Sequence, residues 1–319
     1  MKTYVAILAS ALAFAGCAVS EINDANEPSA EKVVFTAGFE QDAEAVKTFI
    51  DSDLKMRWTA DDRISIFAGS HYNQEFVFEG ETGDTGGIFS KVASGLFSVG
   101  SEYPSIYAVY PYDSSTSIGE GGELNINLPA VQAYAENSFG VNANTMVAQI
   151  PNTSDRTLFF KNVCGFVRVS FYGDAVIKKV TLTANKGEKI AGPATVTSYC
   201  DDAPTVVMGE DAGSSIVIDC GKGVRTGENP RKATHFFFAV PPTDFEEGFT
   251  IKAEAFGKAA VERSTGRAMK VERNTIIHMS PLEVKGTGTI GIEFPAFAAI
   301  PYLCEGRTLS TTWKDFSWG

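Results

Sequence analysis

The sequence predicts an all-β chain arranged as two tandem antiparallel β-sandwiches, and three observations carry that expectation. Short runs of alternating apolar residues recur between Gly and Asp punctuation, as where Phe76 and Phe78 alternate with Glu75, Val77 and Glu79 ahead of the glycine-rich turn from Gly80 to Gly87. No stretch keeps a helical period over three turns and strands do not alternate with long helices, which excludes doubly wound and barrel α/β folds. The pattern restarts after an apolar run from Leu158 to Tyr172, so the roughly 300 mature residues divide into two cores.

The chain begins with an address. Lys2 precedes an apolar run from Tyr4 to Ala15, broken only by Ser10, that is too short to span a bilayer and ends in small residues, as a cleaved secretory signal does. The ending Phe14-Ala15-Gly16-Cys17 resembles a bacterial lipobox, in which signal peptidase II cuts before the Cys and the thiol carries diacylglycerol. Cys17 is therefore the expected lipid site, with an ordinary signal cut nearby as the alternative. Several acyl chains, at about 0.8 kcal/mol per buried methylene, make such an anchor permanent. Ala18 stands where an Asp would signal inner-membrane retention, so the expected destination is the outer membrane, exposed at the surface.

Residues 1–16 are thus read as signal peptide and 17–31, polar, acidic and aperiodic, as a flexible tether. An N-terminal sandwich is expected over 32–160, a C-terminal one over 161–285, and an apolar tail over 286–319. Val33, Phe35, Ala37 and Phe39 alternate with Val34, Thr36 and Gly38 as in a half-buried strand. Gln41 to Ile50 reads equally as a short helix or a polar loop. Ile64, Ile66 and Phe67 follow Trp58, and Ile106 to Tyr112 and the strictly alternating Leu124 to Leu128 continue the strand series, with a turn at Gly119 to Gly122. Pro129 to Phe139 reads as a surface excursion with one helical turn.

In the run ending at Tyr172, Val163, Gly165, Val167, Val169 and Phe171 fall on one side and Phe166, Arg168, Ser170 and Tyr172 on the other. Its apolar residues on both faces suit a seam between two cores. Beyond it come Val180-Leu182-Ala184, Ile216-Ile218-Cys220, His235 to Val240, Ile251-Ala253-Ala255 and Ile276 to Met279. Pro241-Pro242 closes the most apolar of these runs, because neither proline can donate to a ladder.

Charge narrows the partners. The chain has 27 Lys+Arg against 39 Asp+Glu, and losing Lys2 with the signal leaves 26 against 39, a net charge of −13. Nucleic acid is a poor partner for such a body. Cys164, Cys200, Cys220 and Cys304 show no Cys-x-x-Cys and no framework spacing, so no disulfide is assigned.

Taken in order, several phrases resemble the fimbrillin family of type V pili and its fimbrillin-like lipoprotein relatives: Val34-Phe35-Thr36-Ala37-Gly38-Phe39, Lys47-Thr48, Trp58-Thr59-Ala60-Asp61-Asp62-Arg63-Ile64-Ser65-Ile66-Phe67 and Tyr107-Ala108-Val109-Tyr110-Pro111. After them come Val167-Arg168-Val169-Ser170, Ile190-Ala191-Gly192, Val240-Pro241-Pro242 with Phe245 and Gly248-Phe249-Thr250, and Arg273-Asn274 ahead of Met279-Ser280-Pro281-Leu282. The match runs from about residue 33 to 284. The resemblance implies two transthyretin-like β-sandwiches, export as a lipoprotein and assembly at the outer surface. In stalk-forming relatives an Arg-specific protease removes the first strand, and a neighbour's donor strand fills the groove by β-strand addition.

On that reading Arg57, the first arginine of the chain, lies after the first strand and is the candidate maturation site, with Lys55 as a second choice; a solvated loop cation is the plain alternative. In the tail, Ile290, Ile292 and Phe294 fall on one side of an extended segment and are the candidate donor strand, although Pro295 and Pro301 limit regular pairing. Docking on a neighbour and docking on the chain's own core both remain open.

Asp51, Asp53, Asp61 and Asp62, like Asp201 and Asp202, lack the spacing of a calcium loop and read as solvated turn acids, and no cofactor is expected. His71, His235 and His278 are isolated in sequence, the last two at strand positions. No Gly-x-Ser-x-Gly, His-Glu-x-x-His, phosphate loop or dinucleotide fingerprint occurs, so the chain reads as a non-enzyme, although folding can bring together a carboxylate pair that sequence does not reveal. Two functions follow. One is a pilus subunit, exported as a lipoprotein, joined to other subunits by strand exchange and mediating adhesion. The other is a monomeric surface lipoprotein that binds glycan or host protein, with Trp313 and Trp318 as stacking platforms.

Overall fold

The computed structural model describes residues 33–40, 56–93, 97–151, 155–257, 259–284 and 314–316. The fold is all-β, as the sequence predicts, but the sheets are mixed rather than antiparallel throughout. Parallel pairs join Val34–Phe39 to Thr157–Asn162, Gly165–Tyr172 to Ile276–Met279, Val131–Ala135 to Ser215–Arg225 and Lys314–Phe316 to Ile276–Met279. Alternation specifies which face of a strand is buried and says nothing of its direction relative to a neighbour.

Seven strands close into a barrel in the order Val34–Phe39, Thr157–Asn162, Met146–Pro151, Ser105–Tyr110, Arg63–Ala68, Gln74–Phe78 and Gly87–Lys91. Closure of these seven strands into a barrel leaves none of them with a bare edge. The interior is aromatic. Trp58 is fully buried and meets Phe89 at 4.9 Å, Tyr110 at 5.5 Å and Phe160 at 5.5 Å, all edge-on, the geometry that ring quadrupoles favour.

Every residue of Ser105–Tyr110 is buried, because this wall strand serves two cores. Ile106, Ala108 and Tyr110 face the barrel interior, whereas Tyr107 and Val109 face a second core formed with Leu124, Ile126, Ala194 and Val196. Gly165–Tyr172 serves two cores in the same way. Phe166 joins the second core, and Val167, Val169 and Phe171 join a third with Phe236, Phe238, Ile216 and Ile251. That third core lies between the sheet of Thr234–Val240, Gly165–Tyr172 and Ile276–Met279 and the sheet of Phe249–Ala255, Val176–Ala184 and Ser215–Arg225.

Strands from before residue 160 share sheets with strands from after it. Leu124–Leu128 pairs with Gly192–Thr197, and Val131–Ala135 pairs with Ser215–Arg225. The stretch from Pro129 to Phe139 is accordingly no helical excursion. It holds the strands Val131–Ala135 and Ser138–Phe139. Its buried Gln132 uses its amide like a backbone unit, donating to Ala239 O at 2.8 Å and accepting from Ala239 N at 2.9 Å. Phe139 stacks on Phe166 at 4.7 Å. A polar residue that pairs this way breaks the apolar pattern without leaving the interior.

Candidate functional site

The barrel strand nearest the N-terminus carries the features of a functional site. Val34–Phe39 pairs antiparallel with Gly87–Lys91 and parallel with Thr157–Asn162, so its backbone is bonded on both sides. Its side chains at Phe35 and Ala37 are buried, while Thr36 is exposed. Phe35 meets Phe76 edge-on at 5.2 Å, and the Arg156 guanidinium lies 5.7 Å from its ring centre. Phe39 stacks on Trp58 at 4.7 Å. Without this strand the barrel would hold a groove bounded by two unpaired ladders and lined by Trp58, Phe76, Phe89 and Phe160.

The strand ends at a polar cradle. Glu40, only 8% exposed, accepts through Oε1 from Arg273 Nη1 at 2.5 Å, from Asn274 Nδ2 at 2.9 Å and from Asn162 N at 3.3 Å. Arg273, 19% exposed, also donates to Asn162 O at 3.2 Å. The Asn162 amide donates to Asn274 Oδ1 at 2.6 Å and accepts from Asn144 Nδ2 at 2.6 Å. One carboxylate oxygen thus gathers a cation, a side-chain amide and a backbone N–H from segments up to 234 residues away. Removing one partner of such a pair is destabilising, because the other charge stays largely out of water. No motif marked Glu40, Asn144 or Asn162. Arg273-Asn274 appeared in the sequence only as a phrase of the resemblance.

Arg57 lies between the buried side chains of Met56 and Trp58, and its guanidinium donates to Gly83 O at 3.1 Å. The residue after it is fixed on both sides, Trp58 N donating to Asp84 O at 2.7 Å and Trp58 O accepting from Gly83 N at 2.9 Å. A protease needs an extended, accessible segment, so hydrolysis of the Arg57–Trp58 bond requires this stretch to open locally. Lys55, the lipid site Cys17, the donor-strand residues Ile290, Ile292 and Phe294, and Trp313 and Trp318 lie outside the described residues. Of the tail, Lys314–Phe316 pairs in parallel with the chain's own Ile276–Met279 strand.

The remaining titratable groups have structural surroundings. Asp62 is buried in a turn, accepting from Thr59 N at 2.7 Å and Tyr110 Oη at 3.1 Å, and burial pushes its pKa up to about 6. His235 and His278 flank Arg168 on neighbouring strands, and burial followed by the Arg168 charge pushes them down to about 4 and about 2. Ser170 Oγ lies 2.7 Å from His235 Nδ1. Among the described residues no three His, Cys, Asp or Glu side chains converge on a point that could hold a metal, and Cys164, Cys200 and Cys220 are free thiols.

No family model matches the chain, and no curated protein matches it. Among solved structures it is similar to a candidate cell adhesion protein from Bacteroides ovatus, at 11% identity over 77% of this chain and 92% of that one, with a TM-score of 0.45. It is also similar to a fimbrial protein from Bacteroides ovatus, at 13% identity over 88% of this chain and 49% of that one, with a TM-score of 0.29. A third similarity is to the C-terminally truncated tip fimbrial protein of Porphyromonas gingivalis, at 8% identity over 77% and 94% of the two chains, with a TM-score of 0.28.

Proposed function

We propose that this chain is a structural subunit of a cell-surface fimbria, exported as a lipoprotein through Cys17 and joined to other subunits by β-strand exchange. The observation that carries the reading is the placement of Val34–Phe39: it completes a closed barrel on both ladders, yet it is the barrel strand nearest the N-terminus and is followed by Arg57. Cutting after Arg57 would free the strand together with the lipid-bearing segment, exposing an apolar groove and two rows of backbone groups that a strand from another subunit can satisfy. The ordered phrases from Val34 to Leu282 and the Ala15-Gly16-Cys17 ending support the same reading. Adhesion is then a property of the assembled fibre.

The test is N-terminal sequencing of the protein recovered from cell surfaces, with gel analysis under mild denaturation. Mature chains should begin at Trp58 and run as a ladder, and Arg57→Ala combined with Lys55→Ala should keep the N-terminal segment and abolish the ladder. An undiminished ladder from the double variant would sink the maturation step.

A further inference from the structure

We infer that the cavity shared by the Pro111 to Thr116 loop and the Leu124–Leu128 strand is a binding site for one neutral sugar ring. The inference goes beyond the fimbrial reading and depends on neither cleavage nor strand exchange. The cavity holds about 220 Å³. Sites for drug-sized ligands run to about 300–1,000 Å³, so this one takes a single ring or a group of that size. Val109, Pro111, Ile126 and Pro129 give it apolar lining, and Tyr112 adds an aromatic ring. The rest of the lining is polar: Asp113, Thr116, Asn127, Asn142 and Thr145.

The polar groups are the first ground, because the fold does not use them. Thr116 and Thr145 are 5% and 3% exposed and both line the cavity, yet neither hydroxyl has a hydrogen-bond partner among the described residues. A buried hydroxyl shut away without a partner is costly, so these two are bonded by what occupies the cavity, water or a ligand. The Asn127 and Asn142 carboxamides likewise have no partner among the described residues. Asp113 engages only Oδ1, which accepts from Ser115 N at 2.8 Å and from Ser115 Oγ at 2.7 Å. Four of the five groups can both donate and accept, and the fifth accepts. A sugar hydroxyl does both as well.

The second ground is what the lining refuses. No Lys, Arg or His lines the cavity, so a phosphate, a sulfate or an acidic sugar would meet the Asp113 carboxylate with no cation to offset it. A wholly apolar ligand would leave Thr116 and Thr145 unbonded. A neutral sugar ring meets both demands, since its C–H groups suit the proline, valine and isoleucine surface while its hydroxyls reach the threonines, the asparagines and Asp113.

The third ground is that the walls are already fixed. Asn73 Nδ2 donates to Asp113 O at 2.9 Å and to Thr116 O at 3.1 Å, which ties both ends of the loop's polar half to one distant side chain. Tyr112 N donates to Arg63 O at 2.7 Å and Thr116 N to Asp113 O at 3.0 Å. Ile126 and Asn127 pair with Ala194 and Pro193, and Thr145 O accepts from Val163 N at 2.9 Å. A site held in this way has little left to order when a ligand arrives.

The experiment uses the full chain and saturation-transfer difference NMR with the methyl glycosides of glucose, galactose, mannose and N-acetylglucosamine. At least one of the four should give transfer to its ring protons that saturates with concentration, whereas N-acetylneuraminic acid and glucose 6-phosphate should give none. Asn127→Ala and Thr145→Val should each weaken that binding about fivefold, the loss of one hydrogen bond. Asn125→Ala, on the same strand but outside the lining, should leave it unchanged. Asn127 is exposed, so its variant reads the site even where Thr145→Val disturbs the fold. No transfer from any of the four up to the solubility of the sugar overturns the inference, and so does binding that Asn127→Ala does not weaken. Lysine amide that binds more tightly than every glycoside and is released by Asp113→Asn would make the cavity a cation site and overturn it too.

Discussion

The barrel and the C-terminal sheet meet their last strands in opposite ways. In the barrel, Val34–Phe39 has a partner on each side and buries Phe35 and Ala37 in the interior. In the C-terminal sheet, Lys314–Phe316 adds three residues to an edge and pairs on one side with Ile276–Met279. The N-terminal strand is thus part of a core and the C-terminal one an extension of a ladder. A strand whose loss opens two ladders and an aromatic interior is costly to remove and leaves a site only another strand can fill. A three-residue edge can come and go at little cost.

The largest expected effect probes the barrel interior. Trp58→Ala should cost about 3–5 kcal/mol in denaturant unfolding, since the indole packs against Phe39, Phe78, Phe89, Tyr110 and Phe160. Amide exchange should show the loss in the barrel strands ahead of the C-terminal sheet; uniform loss would mean that the two regions unfold as one. Next in size is Arg273→Ala, which strands the Glu40 carboxylate and should cost about 2–4 kcal/mol. Adding Glu40→Gln should return part of it, and a double-mutant cycle with no coupling would remove the cradle from the account.

Acidification should divide the regions further. Asp62 has a native pKa of about 6 against an ordinary 3.8, so the native state holds its proton more tightly and the barrel gains stability as pH falls from about 6 toward 4. His235 and His278 have native values below the ordinary 6.5, so the unfolded state binds more protons and the C-terminal sheet loses stability as pH falls below 6.5. Between pH 6.5 and 5 the loss is about 1–2 kcal/mol for each histidine, and between pH 6 and 5 the gain at Asp62 is about 1 kcal/mol. Amide exchange in the two regions at pH 7 and pH 5 should move in opposite directions, and Asp62→Asn should flatten the barrel's response. The smallest effect is expected from deleting residues 314–319, about 1 kcal/mol or less, or a few degrees in thermal midpoint. A larger fall would make the tail a member of the C-terminal core.

The sequence by itself determined the fold class and the inward faces. Phe35 and Ala37, Phe76 and Phe78, and Leu124, Ile126 and Leu128 are buried as their alternation requires, because side-chain direction follows from backbone periodicity alone. It also marked Leu158 to Tyr172 as apolar on two sides, and that stretch feeds three cores. Tertiary structure decided what periodicity does not encode. Closure of the barrel and the parallel directions depend on which strands meet, and Gln132 reads as a surface residue until Ala239 is placed beside it. The cradle was the least legible part, since Glu40 and Arg273 lie 233 residues apart and each taken singly is an ordinary charged residue. Only the folded chain brings the carboxylate, the guanidinium and the asparagine amides within hydrogen-bonding distance, where the loss of water makes each depend on the others.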